Sequence, residues 1–387
     1  MSFINAELPA GKLSSLRVLG SRIAGVGLEP LSGDIVVDLD GARLLPGLIN
    51  AHDHLQLNSL PSLDANKRYG HVQEWIADIN HRRCSDVAFE ARVAIARNER
   101  LLIGGVKNLL SGVTTVAHHD PLYPELSSHE FPTRVVQNYG WSHSLYIDGE
   151  EPVRDSYAKT PVDWPWTIHA AEGIDEAASR EFDRLDALGC IGPNTLLVHG
   201  VALRHEQRVR LDEKGAGLIW CPASNMRLFG RTTEVGDLIT QNRVALGTDS
   251  RLSGARDMLE EMRMAADLVG LDESVLLSLA TRIGARLLRL TDRGCLRVGA
   301  RADLLVLPPK ARLTRTSRSD IRLVLIDGVV RYGDEDCATA VSSDAHWVSV
   351  KVDGRRKILD AQLTARLSSL SAREEGLELP RVTRRVA

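Results

Sequence analysis

The stretch Leu45-Pro46-Gly47-Leu48-Ile49-Asn50-Ala51-His52-Asp53-His54 constrains this chain more than any other. It reads as a buried strand running into two histidines spaced one apart. Side chains alternate between the faces of a strand, so residues i and i+2 point the same way. His52 and His54 therefore present two imidazoles to one point, which suits a divalent metal ion. Alone, such a pair is more often a polar strand end. Three later segments repeat the pattern: Trp166-Thr167-Ile168-His169 with Glu172 three residues on, Thr195-Leu196-Leu197-Val198-His199, and Val244-Ala245-Leu246-Gly247-Thr248-Asp249. A polar residue that terminates a buried parallel strand lies at the C-terminal edge of the sheet, where α/β enzymes place their chemistry. Four strands ending in H-x-H, H-x-x-E, H and D predict one shared site.

The rest of the chain is organised around those strands. From 46 to 290, apolar runs alternate with amphipathic stretches such as Ala91 to Leu110 and Asp257 to Leu268, the pattern of parallel βα units. Residues 1–45 and 291–387 hold short strands and turns, including Asp327-Gly328 and Asp353-Gly354 hairpin signals, and 360–376 has helical spacing. The expected fold is α/β: a (β/α)8 barrel over 46–290, flanked by a small β-rich composite domain from both termini. Between His118 and His169 only about fifty residues must supply two strands. Arg134-Val135-Val136 and Ser144-Leu145-Tyr146-Ile147 are the candidates, so a distorted barrel is expected around strands three and four.

Composition removes several function classes. A formal net charge of −3 and the absence of any basic run argue against nucleic acid or an anionic membrane as the main partner. Five widely spaced cysteines without a C-x-x-C pair read as reduced thiols. Met1 to Glu7 lacks the basic and apolar regions of a signal peptide, and no apolar run approaches the ~18 residues of a membrane span. A cytoplasmic enzyme acting on a small molecule is expected. A homo-oligomer stays open, since no segment identifies an interface.

The order of the strand ends resembles the amidohydrolase superfamily, in the one-metal branch that holds cytosine, guanine and adenosine-type deaminases and triazine hydrolases. Leu45-Pro46-Gly47, Gly112-Val113-Thr114-Thr115-Val116, Cys221-Pro222-Ala223-Ser224-Asn225, Ala280-Thr281-Arg282-Ile283-Gly284-Ala285 and Gly299-Ala300-Arg301-Ala302-Asp303-Leu304 carry the resemblance further, over nearly the whole chain. The resemblance implies a metal-dependent hydrolase in which the H-x-x-E glutamate, Glu172, shuttles a proton. His199 would polarise the group attacked, and Asp249 would both ligate the metal and take a proton. Two-metal relatives bridge their ions with a carboxylated lysine, but Lys67, Lys107 and Lys159 end no strand-like segment between His54 and His169.

One divalent ion is therefore expected on His52, His54, His169 and Asp249, with zinc ahead of iron. Substrate contacts are expected from Gln56, Asn58, Trp75 and Asn225, and from whichever of His118 and His119 faces the barrel. The reaction expected first is deamination of an amino-substituted nitrogen heterocycle. Its rivals are ring opening of a cyclic amide or displacement of chloride or an alkylamine, and a scaffold that has lost its chemistry.

Overall fold

The apolar runs that end in polar residues form parallel strands: β1 Leu48–Asp53, β2 Val113–His118, β3 Arg134–Val135, β4 Gly140–Ser144, β5 Trp166–Ala170, β6 Thr195–His199, β7 Gly217–Trp220 and β8 Val244–Leu246. The computed structural model describes residues 1–62, 66–342 and 347–380. The eight strands lie in two hydrogen-bonded sheets, β1-β2-β3 and β8-β7-β6-β5-β4, with every neighbouring pair parallel. All side chains of β1, β5, β6, β7 and β8 are buried, as expected of parallel strands covered on both faces. The end of β8 closes on β1. Asp249 N donates to His52 O at 3.1 Å, and a Cβ on Gly247 would stand 2.7 Å from the His52 Cβ, so only glycine permits this approach.

A mixed sheet built from both termini flanks these strands. Arg43–Pro46, which leads into β1, pairs parallel with Ser2–Glu7 on one side and antiparallel with Leu304–Leu307 on the other. Its own apolar core includes Phe3, Leu16, Ile23, Leu44, Leu304 and Leu325. Both Asp-Gly pairs make the expected hairpins, with φ of 55° and 75° at Asp327-Gly328 and 47° and 81° at Asp353-Gly354.

Three local expectations are corrected. The 91–110 stretch is two helices, Val87–Val93 and Arg97–Leu110, separated by a break at Ala94–Ala96. The strand expected at Ser144–Ile147 is Gly140–Ser144, because the Ser144 hydroxyl accepts from Ile147 N and caps a helical turn there. The closing helix stops at Ser368 rather than running to 376. The chain then turns inward so that Glu374, buried, pairs with Arg251 and Arg318. The third strand is indeed short, at two residues, and only residues 136–139 join it to the fourth, which at five residues is as long as β5 and β6. Among the described residues no helix is long and apolar enough to cross a membrane.

Candidate metal centre and active site

The strand ends carry unusual backbone. Ala171, His199 and Asp249 adopt φ of 53°, 71° and 52°, a region that residues other than glycine rarely enter. Such conformations persist where the surroundings over-determine them. Here Glu181 accepts from Ala171 N at 2.7 Å, Thr233 Oγ1 donates to His199 O at 2.6 Å, and Asp249 Oδ1 accepts from its neighbour Ser250 N at 2.7 Å.

Four buried histidines, His52, His54, His119 and His169, bring ring nitrogens within 4.8 Å of one another. Their hydrogen bonds fix the tautomers. His54 Nδ1 donates to Asp120 Oδ2 at 2.8 Å and His169 Nδ1 donates to His143 O at 2.8 Å, so the neutral form of each ring carries its lone pair on Nε2. Those two Nε2 atoms face each other at 3.2 Å. His119 Nε2 donates to Ser142 O at 2.9 Å, so its Nδ1 is an acceptor, and His52 Nδ1 donates to it across 3.3 Å. The lone pair of His52 then sits on Nε2, which is buried without a partner and lies 3.9 Å from Asp249 Oδ1.

Three converging imidazole lone pairs beside a carboxylate attract positive charge, and they fit a divalent transition ion. His119, by contrast, is turned to support His52. Burial disfavours a charged His54, but the hydrogen-bonded Asp120 carboxylate outweighs it, with Asp249 and Asp53 adding, and lifts its pKa to about 8. Burial alone would raise Asp249. The His199 and His54 imidazoles and the hydroxyls of Ser253 and Ser224 hold it below the ordinary carboxylate range.

Glu172 lies beside this cluster with Oε1 3.4 Å from His199 Nε2. Burial, reinforced by Asp249 and Glu181, pushes its pKa well above the carboxylate norm, and burial pulls His199 below the imidazole norm. Both therefore favour their neutral forms. His199 Nδ1 donates to Asn225 Oδ1 at 2.9 Å, so its Nε2 lone pair is aimed at Glu172. Asn225 itself is held by Thr232 Oγ1 at 3.2 Å.

A cavity of about 280 Å³ opens onto these groups. His54, Asp120, His143, His169, Glu172, His199 and Asp249 make its floor, and Leu57, Trp75, Ile79, Phe89, Leu228 and Leu252 make apolar walls below Arg83 and Arg100. Of the residues expected to contact substrate, Gln56 and Trp75 line it. Four others do something else. Asn58 is fully buried and bonds Asp53 and Lys107. His118 points away and accepts weakly from Leu55 N at 3.4 Å. His119 and Asn225 orient His52 and His199. The sequence does not single out Asp120, and it makes His143, near the probable fourth strand, a weaker candidate for substrate contact than His118 or His119. Asp120 is a lone acid without periodic signature. The H-S at His143-Ser144 ends β4, so the strand-end rule applied to Gly140–Ser144 points to His143.

Behind the site, Glu261 Oε1 accepts from Ala223 N at 2.9 Å and anchors the Pro222–Phe229 helix that carries Ser224 and Asn225. Its Oε2 is buried without a partner, and burial lifts the pKa to about 8. A raised folded-state pKa means stability that is present below the ordinary value of 4.5 and lost as pH rises through about 8. Glu261→Gln mimics the protonated acid at every pH. Thermal melts should show the variant gaining on wild type at about pH 9 and not at about pH 4. An equal difference at both ends would contradict this assignment.

Comparison with known proteins agrees with this architecture. Residues 156–331 match the model of the amidohydrolase family. A 5-methylthioadenosine/S-adenosylhomocysteine deaminase of Haloquadratum walsbyi is 30% identical over 371 residues, covering 78% of this chain and 82% of that protein. The chain belongs to the amidohydrolase family. Solved amidohydrolase-like structures share its fold: atrazine chlorohydrolase from Arthrobacter aurescens TC1 complexed with zinc (18% identical, 85% of this chain and 94% of that chain, TM-score 0.69), and a zinc-bound adenosine deaminase from Xanthomonas campestris (21%, 85% and 92%, TM-score 0.66). As an amidohydrolase, the protein is a metal-dependent hydrolase of carbon–nitrogen bonds other than peptide bonds.

Proposed function

We propose that this amidohydrolase replaces the exocyclic amine of an aminopurine with oxygen, using one divalent ion, zinc ahead of iron, held by His52, His54, His169 and Asp249. The observation that carries the reading is the floor of the cavity: three imidazole lone pairs and a carboxylate beside a buried Glu172 that favours its protonated form. When bound, such an ion lowers the pKa of water from ~15.7 toward ~7. Asp249, kept as a carboxylate, is suited to accept a proton at that position. Glu172 is suited to carry a proton to a ring nitrogen, out of reach of bulk water. His199, with its tautomer set by Asn225, hydrogen-bonds the group attacked. The apolar walls, with Trp75 among them, suit a flat ring.

The relatives support an aminopurine. The Haloquadratum protein is named for two adenosine derivatives, and the Xanthomonas structure is that of an adenosine deaminase. The reading takes the eight parallel strands as a closed (β/α)8 barrel over residues 46–290 that carries the chemistry. Residues 1–45 and 291–387 form the composite β-rich domain beside it.

Ammonia release from a panel of 5′-substituted adenosines, free aminopurines, aminopyrimidines and triazines, with zinc-loaded protein, tests the proposal. Turnover is expected on the 5′-substituted adenosines. A blank across the whole panel, with metal bound, would overturn deamination and point to ring opening of a cyclic amide or displacement of chloride or an alkylamine.

A further inference from the structure

Asp53 sits on β1 between the two histidines, so its side chain points away from them, toward the helix Arg97–Leu110. There it meets a fully buried lysine. Lys107 Nζ lies 3.3 Å from Asp53 Oδ2, 2.8 Å from Asn58 Oδ1 and 3.0 Å from Thr248 Oγ1, so its three protons have three acceptors. Asp53 Oδ2 also accepts from Asn108 Nδ2 at 2.8 Å and Asn50 Nδ2 at 3.1 Å, and its Oδ1 accepts from Asn58 Nδ2 at 2.7 Å. The helix can come this close because Gly104 lies against the backbone of Leu55, where a Cβ would stand 2.3 Å from the Leu55 oxygen.

Burying an acid–base pair costs about as much in desolvation as it returns, and apolar side chains of the same volume often serve stability better. What such a network adds is direction. This one joins three segments: β1 with His52 and His54, the helix, and the turn after β8, where Thr248 precedes Asp249. Asn50 Oδ1 completes the tie by accepting from Thr248 N at 3.0 Å. None of these residues reaches the cavity. We propose that Lys107 and Asp53 are positioning residues that fix the register of His52 and His54 against Asp249, and so set the affinity of the site for its ion. The inference rests on the ligand set assigned above.

The test uses the full chain as Lys107→Met, Asp53→Asn and the double variant. The measurements are the Tm of metal-free protein, zinc affinity by competition with a chromophoric chelator, and the visible spectrum after cobalt substitution. Each single change leaves a buried partner unmatched, so its Tm should fall. The double variant keeps the net charge of the site, so its Tm should largely recover and long-range Coulomb effects on the ion cancel. Its zinc affinity should nonetheless stay about tenfold or more below wild type, the range found for groups that orient metal ligands. Its cobalt spectrum should shift.

A double variant with Tm, zinc affinity and spectrum all restored would make the pair ordinary core and overturn the proposal. A double variant whose Tm does not recover would show that the pair serves the fold itself, and would overturn it equally. Wild-type protein that takes up no zinc would instead remove the ligand assignment on which the inference stands.

Discussion

Glu172→Gln is expected to keep the fold and the metal while losing about 10²- to 10⁴-fold in kcat, the range that a positioned proton carrier supplies. The replacement is nearly isosteric. The Glu172 side chain lies 3.4 Å from His199 Nε2, and burial already favours its uncharged form, so an amide is tolerated there. What the amide cannot do is take up a proton and release it. Metal content and Tm should therefore match wild type while turnover collapses. A variant within about tenfold of wild-type kcat would remove Glu172 from the proton path.

Metal removal should have the larger effect. The Nε2 atoms of His54 and His169 face each other at 3.2 Å, and that of His52 is buried without a partner. These lone pairs are held in place by acceptors on the far side of each ring, which take the Nδ1 proton: Asp120 for His54, the His143 carbonyl for His169 and His119 for His52. Nothing else at the floor of the cavity acidifies water, so chelated protein should lose activity to below detection. An ion that binds only the folded chain also stabilises it, by about 2.7 kcal/mol at a concentration one hundred times its Kd. Chelation should thus lower Tm and added zinc should restore it.

The site was legible where strand periodicity alone determines direction. His52, His54, His169, His199 and Asp249 all end apolar runs, and period-two alternation aims them together. His118 and His119 show where that logic stops. The ladder between β1 and β2 shifts register between Asn50 and Asp53, and past that irregularity His119, not His118, turns toward His52. A bulge leaves no mark in a run such as Val113 to His119. Asn58 and Asn225 looked like loop residues able to read a ring edge, but both are consumed by tertiary partners remote in sequence, Lys107 and His199. The same holds for Lys107. It ends no strand and so was set aside as a metal bridge, yet it lies beneath the ligand strand as a buried cation. Length arithmetic alone anticipated the two-residue β3 and its helix-free link to β4. It could not place the boundary of β4, which Ser144 sets by capping the turn at Leu145–Asp148.

The central claim is one ion and one deamination chemistry. Titration of zinc into metal-free protein, with ammonia release from a 5′-substituted adenosine followed at each step, tests it most directly. Activity should start at zero, rise linearly to a break at one equivalent and then stay level. Activity in the metal-free protein, or a break at two equivalents, would contradict the account.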